Sequence, residues 1–67
     1  MERLTKRELA VLGLVADGRR NGQIAETLHL GVYTVSRVRS RVVRKLGATD
    51  MAHAVAIGIR DHLIEAA

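Results

Sequence analysis

Five cations crowd one short stretch of this 67-residue chain. Arg37, Arg39, Arg41, Arg44 and Lys45 lie between Gly31 and Gly47, with no acid among them. The stretch carries +5, whereas the whole chain carries +4. Tyr33, Ser36 and Ser40 are interleaved with the cations. A guanidinium can bond bidentately to a phosphate or to the edge of guanine, and a serine hydroxyl can donate or accept at several bases. Charge gathered on one element points to a polyanionic partner, and double-stranded DNA is the first candidate. The plainer alternative is a solvated basic face with no partner.

Other reactive side chains do not converge. His29, His53 and His62 are scattered, and their neighbours supply no second metal ligand at helical spacing. Asp61 and Glu65 have helical spacing, but near the C-terminus they read as ordinary solvated charges. Cysteine is absent, so there is neither a disulfide nor a thiolate metal site, which suits a cytoplasmic address. A Gly-rich phosphate loop is missing, and so short a chain offers little room for a reaction pocket. The expectation is therefore no catalytic residue, no metal, no cofactor and no small-molecule ligand in this chain.

The elements that position the basic stretch follow from length and pattern. Sixty-seven residues make one domain, residues 1–67. A chain of this size buries only ~60% of the surface its unfolded form exposes, so a partner subunit would add stability. The core must be aliphatic, because Phe and Trp are absent and Tyr33 is the sole aromatic residue. Neither an apolar run long enough to span a membrane nor a signal-peptide core appears.

Glycines supply the punctuation, and the spacing predicts four helices. The first covers about residues 6–16. Thr5 and Glu8 have capping-box spacing, flanked by Leu4 and Leu9 as a hydrophobic staple. Leu9, Leu12, Val15 and Ala16 form its apolar stripe with Val11 beside it, and Gly18 suits the left-handed cap. The second covers about 22–28, with Asn21 as its N-cap. The third covers about 32–46 and ends at Gly47. The fourth follows Thr49 and Asp50 and reaches about His62. The fold class is all-α.

The middle pair has the pattern of a helix-turn-helix. Ile24 and Leu28 face the core, Ala25 is small where the helices cross, and Leu30 plugs the turn. His29 stands where glycine is common, a position that asks for positive φ. Val35, Val38, Val42 and Leu46 share one side of the third helix, at ~100° per residue. Tyr33, Ser36, Arg37, Ser40, Arg41 and Arg44 fall opposite. From this wheel, Arg41 joins the base-reading residues and Arg44 the phosphate contacts.

Across nearly its whole length the chain resembles the LuxR/GerE type of helix-turn-helix domain of bacterial transcription regulators. The matching residues are Leu4-Thr5, Arg7-Glu8, Val11-Leu12, Leu14, Ala16, Gly18, Asn21, Ile24-Ala25, Leu28, Leu30 and Thr34-Val35. They continue through Arg44-Lys45-Leu46-Gly47-Ala48, Asp50 and Ala54-Val55. The resemblance implies a four-helix domain whose third helix enters the major groove of an imperfect inverted repeat. By position, it implies base contacts from Ser36, Arg37 and Ser40. It also implies backbone contacts from Thr34 and Lys45, and a phosphate near Asn21. The family commonly has Lys at the position of Ser36, His-Val at Val38-Arg39, Ser at Gly31 and Arg at Met51. These departures leave the fold expectation intact, but the family's base preferences do not transfer. Arg39, near the core stripe, must snorkel outward, reach a phosphate or pair with an acid.

Many members of the family carry this domain after a sensory domain. Met1, three residues before the motif, and the lack of a tag or linker favour a stand-alone regulator. The fourth helix is apolar almost all round. Val55 and Ile59, with Met51 or Ala52, are expected to cover the core, leaving Ala56 and Ile57 exposed. Ala52, Ala56, Ile57 and Ile59 are the candidate interface of a homodimer, which would present two recognition helices about one turn of DNA apart. The leading function is a sequence-specific DNA-binding transcription regulator. Two alternatives stand beside it. One is a protein-interaction module that binds another regulator or RNA polymerase through the fourth helix. The other is a reader like the promoter-binding region of a sigma factor.

Overall fold

The computed structural model describes residues 2–65, so the expectation built on Met1 lies outside the described residues. Four α-helices follow one another: α1 (Lys6–Ala16), α2 (Asn21–Leu28), α3 (Val32–Leu46) and α4 (Met51–Arg60). Helix α3 packs against each of the other three. At ~1.5 Å per residue its 15 residues run ~22 Å. That is nearly the span of a molecule measuring 27 × 23 × 19 Å.

Helix α1 starts as its capping box predicts. The Glu8 N–H donates to Thr5 Oγ1 at 3.1 Å, and the Thr5 N–H donates to Glu8 Oε1 at 2.7 Å. Leu4 and Leu9 line one small cleft, as a staple requires. The buried face of α1 is rotated from the expected stripe: Val11 and Leu12 are fully buried, while Leu9, Val15 and Ala16 are half-buried. The rotation brings Glu8 onto the buried side.

Helix α2 begins one residue earlier than expected. Arg20, not Asn21, is the extended capping residue, and its N–H donates to Gln23 Oε1 at 3.0 Å. Asn21 is thereby freed to turn its amide elsewhere. Ile24, Ala25, Val35, Val38, Val42 and Leu46 all join the core, and Leu28 and Leu30 pack against it. These are the contacts a helix-turn-helix needs, and they fix the pitch of α3 against α2.

One device closes all four helices. Residues Gly18, His29, Gly47 and His62 have positive φ, at 81°, 56°, 65° and 59°. The N–H that follows each one donates back five residues: Arg19 to Leu14, Leu30 to Ala25, Ala48 to Val43 and Leu63 to Gly58. These bonds satisfy carbonyls the helix would otherwise leave open. Helix α4 therefore ends at Arg60, short of the expected His62, because the chain doubles back onto Gly58. A Cβ on Gly58 would lie 3.0 Å from Leu12 Cδ2 and 3.1 Å from Ile64 Cγ1. The absence of a side chain there lets α1 and residue 64 close over the helix.

The orientation of α4 corrects the expectation. Its buried residues are Ala54, Ile57 and Gly58; Met51 and Val55 are half-buried, and Ile59 is 37% exposed. Ile57 is a core residue at 6% exposure and is not available to a partner. The inner face is built on Ile57 with the small residues Ala54 and Gly58, whereas Val55 and Ile59, the larger side chains expected there, lie to its side. The choice of face falls to its packing against α1 and α3 and to the return of residue 64.

Candidate nucleic-acid interface

The base of the site is the buried side of α3. Val35 and Val42 are fully enclosed, and Val38 and Leu46 nearly so, which leaves the opposite side of the helix little freedom to roll. That opposite side presents Tyr33, Ser36, Arg37, Ser40, Arg41 and Arg44, all exposed. Acids are absent from α3, and Arg44 and Lys45 in the last turn sit favourably at the negative end of its dipole. Water-accessible guanidiniums on a rigid helix are placed to meet a row of phosphates or a groove edge.

The neighbouring element joins this face. Asn21 Nδ2 donates to Ser36 Oγ at 3.3 Å, linking the start of α2 to the first turns of α3. The serine keeps its own O–H free to donate. Thr34, in the first turn of α3, is half-buried. The sequence carries no sign of the Asn21–Ser36 bond, since Asn21 reads there as the cap of the second helix and Ser36 as an outward residue of the third.

Lys45 departs from its expected role. Its ammonium donates to Glu8 Oε1 at 2.8 Å and to the Arg3 carbonyl at 3.2 Å, with only 12% of the side chain exposed. It fastens α3 to the capping box of α1 instead of facing the partner side. Burial pushes the Glu8 carboxyl up. The Lys45 hydrogen bond and charge, with the Thr5 N–H and hydroxyl, outweigh that and hold it below the ordinary glutamate value. Glu8 lies on the same four-residue row as Leu12, the one sequence signal that could have marked it as inward. Arg39 is half-buried, with no acid in salt-bridge range among the described residues. With Ser36, Ser40, Val43 and Met51 it lines an open groove of about 360 Å³ between α3 and α4.

The candidate interface on α4 divides. Ala52, Ala56 and Ile59 are exposed and recur at helical spacing along one face, whereas Ile57 points inward. Just before this helix, Asp50 Oδ1 accepts from the His53 N–H at 2.8 Å, and the Thr49 N–H donates to His53 Nδ1 at 3.0 Å. His53 is thereby occupied in capping. Among the described residues, no group of His, Asp and Glu is arranged to hold a metal ion, and no helix is long and apolar enough to cross a membrane.

Known proteins share both the sequence pattern and the shape. Residues 2–57 match the family of bacterial regulatory proteins of the luxR type, GerE. The transcriptional regulatory protein LiaR of Bacillus subtilis is 38% identical over 63 residues, covering 94% of this chain and 30% of LiaR. The putative positive transcription regulator of virulence factors BvgA, from Bordetella pertussis, is 38% identical over 90% of this chain and 29% of its own length. A solved structure of VqmA bound to DPO superposes with a TM-score of 0.83 at 25% identity, over 90% of this chain and 30% of that one. The chain thus spans under a third of the length of these relatives. It belongs to the luxR family of bacterial regulatory proteins, whose work is the regulation of transcription through a DNA-binding helix-turn-helix domain.

Proposed function

We propose that the chain binds double-stranded DNA at specific sites, with α3 lying in the major groove. Ser36, Arg37, Ser40 and Arg41 would meet base edges, while Asn21, Thr34 and Arg44 hold phosphates. The observation that carries this reading is the outward side of α3: exposed arginines and serines, no acid, and a rigid apolar anchor beneath. Bases at the groove floor specify, and flanking phosphates fix register. A second copy would pair through the exposed Ala52, Ala56 and Ile59 face of α4. The pair would place two recognition helices on half-sites about one helical turn apart. RNA polymerase is a further partner for such a regulator, acting in the cytoplasm.

Selection of bound sequences from a random DNA library, followed by affinity against salt concentration, tests this. The expected result is an enriched inverted repeat and a steep fall of affinity with salt. Weak binding with no enriched sequence would shift the function to protein interaction through α4.

A further inference from the structure

Tyr33 is the most exposed large hydrophobic residue of the described chain, at 89%, and Val32 beside it is 53% exposed. Neither belongs to the core or packs against it. Neither caps α3, whose capping residue is Gly31 with no side-chain bond. A tyrosine offers ~150–250 Å² of surface, which at this place on a cationic helix is available to whatever covers the helix. The partner's character follows from the neighbours. Tyr33, Arg37, Ser40 and Arg44 recur at helical spacing along the middle of the outward side of α3. Whatever covers the arginines covers the ring as well.

In the docking geometry of helix-turn-helix proteins, the N-terminal residues of the recognition helix reach the base edges. Tyr33 is the second residue of α3. The apolar feature of the major groove is the thymine C5-methyl group. We infer that Tyr33 reads a thymine methyl in each half-site, beside the guanine that Arg37 reads. Tyr33 and Arg37 are four residues apart, one turn of α3, so they share one face and meet neighbouring base edges. The inference rests on the DNA-binding reading above and extends it to the bases selected.

The test uses the site selected by the purified chain. Each thymine is replaced in turn by deoxyuridine, which removes only the methyl, and affinity is measured for the wild type, Tyr33→Ala and Arg37→Ala. Circular dichroism checks that both variants keep the helical fold. For the wild type, one thymine per half-site should cost roughly fourfold on replacement, the value of burying one such carbon. For Tyr33→Ala the same replacement should cost nothing. That thymine should lie in the same half-site as, and close to, the guanine whose preference Arg37→Ala abolishes. If no thymine responds to uracil, or if the response survives Tyr33→Ala, the inference is overturned while site-specific binding stands. Equal loss by Tyr33→Ala on specific and random DNA, with no uracil effect, would make the phenol a phosphate contact instead. Failure to select any sequence would remove the DNA-binding reading itself and this inference with it.

Discussion

At the scale of single residues, two arginines of one helix face are expected to behave differently. Arg37 sits one turn into α3, and Arg44 lies near its end. Replacing Arg37 by Ala should lower the preference for the selected site by ~1–3 kcal/mol, with a smaller effect on random DNA. Replacing Arg44 by Ala should weaken both alike and reduce the salt slope by about one. Parallel titrations on the two DNAs separate these outcomes. Lys45 answers to a different measurement. A Lys45→Met change leaves the Glu8 carboxylate enclosed without its cation, at a cost of about 3 kcal/mol, the low end for a broken buried pair. The folded-state pKa of Glu8 is lowered from 4.5, so its contribution is present above that value and is lost as pH falls through the lower folded value. Denaturant melts between neutral and acid pH should show stability falling below about 4.5, and Glu8→Gln should flatten that fall. The cationic face itself was legible from residue types alone. The Lys45–Glu8 pair was not, because a lysine in a run of arginines looks like its neighbours until the fold turns it inward.

At the scale of elements, the helix ends with a strong local signal were legible, while the Asn21 cap of α2 and the His62 end of α4 were not. Thr5-Glu8, Asp50 and Gly47 are local signals, satisfied within a few residues, and each acts where the sequence placed it. Faces depend on partners distant in the chain. The valines of α3 stood out because charged residues occupy the other side. Helix α4 has apolar side chains beyond the face it buries, and its small residues Ala54 and Gly58 give little sign that they lie inside; there α1, α3 and residue 64 close on them. The left-handed caps carry a prediction. His29 adopts φ 56° in the turn of the helix-turn-helix, where Gly18 and Gly47 fill the equivalent places elsewhere. An L-residue in that region costs ~1–2 kcal/mol, and glycine escapes it while adding unfolded-state entropy. His29→Gly should therefore raise stability modestly, by ~0.5–1 kcal/mol, as read by urea melts. A loss instead would show that the imidazole makes contacts outweighing the backbone strain.

At the scale of the whole molecule, a chain of 67 residues with an aliphatic core has little stability to spare when it folds by itself. Its surface leaves Ala52, Ala56 and Ile59 exposed in one row on α4. Covering that row with a second copy would add buried apolar area and couple folding to association. The melting temperature of the wild type should then rise with protein concentration, since a partner that binds only the folded state stabilises it by mass action. Ala56→Glu should abolish that dependence and halve the mass seen in sedimentation, while the helical signal persists. The choice of position is critical. Ile57→Glu, one residue on, puts a charge into the core and should unfold the chain, which says nothing about pairing. On DNA, Ala56→Glu should retain a single half-site and lose the advantage of the inverted repeat. A melting temperature independent of concentration in the wild type, with monomer mass throughout, would place the pairing elsewhere and leave this row to another partner.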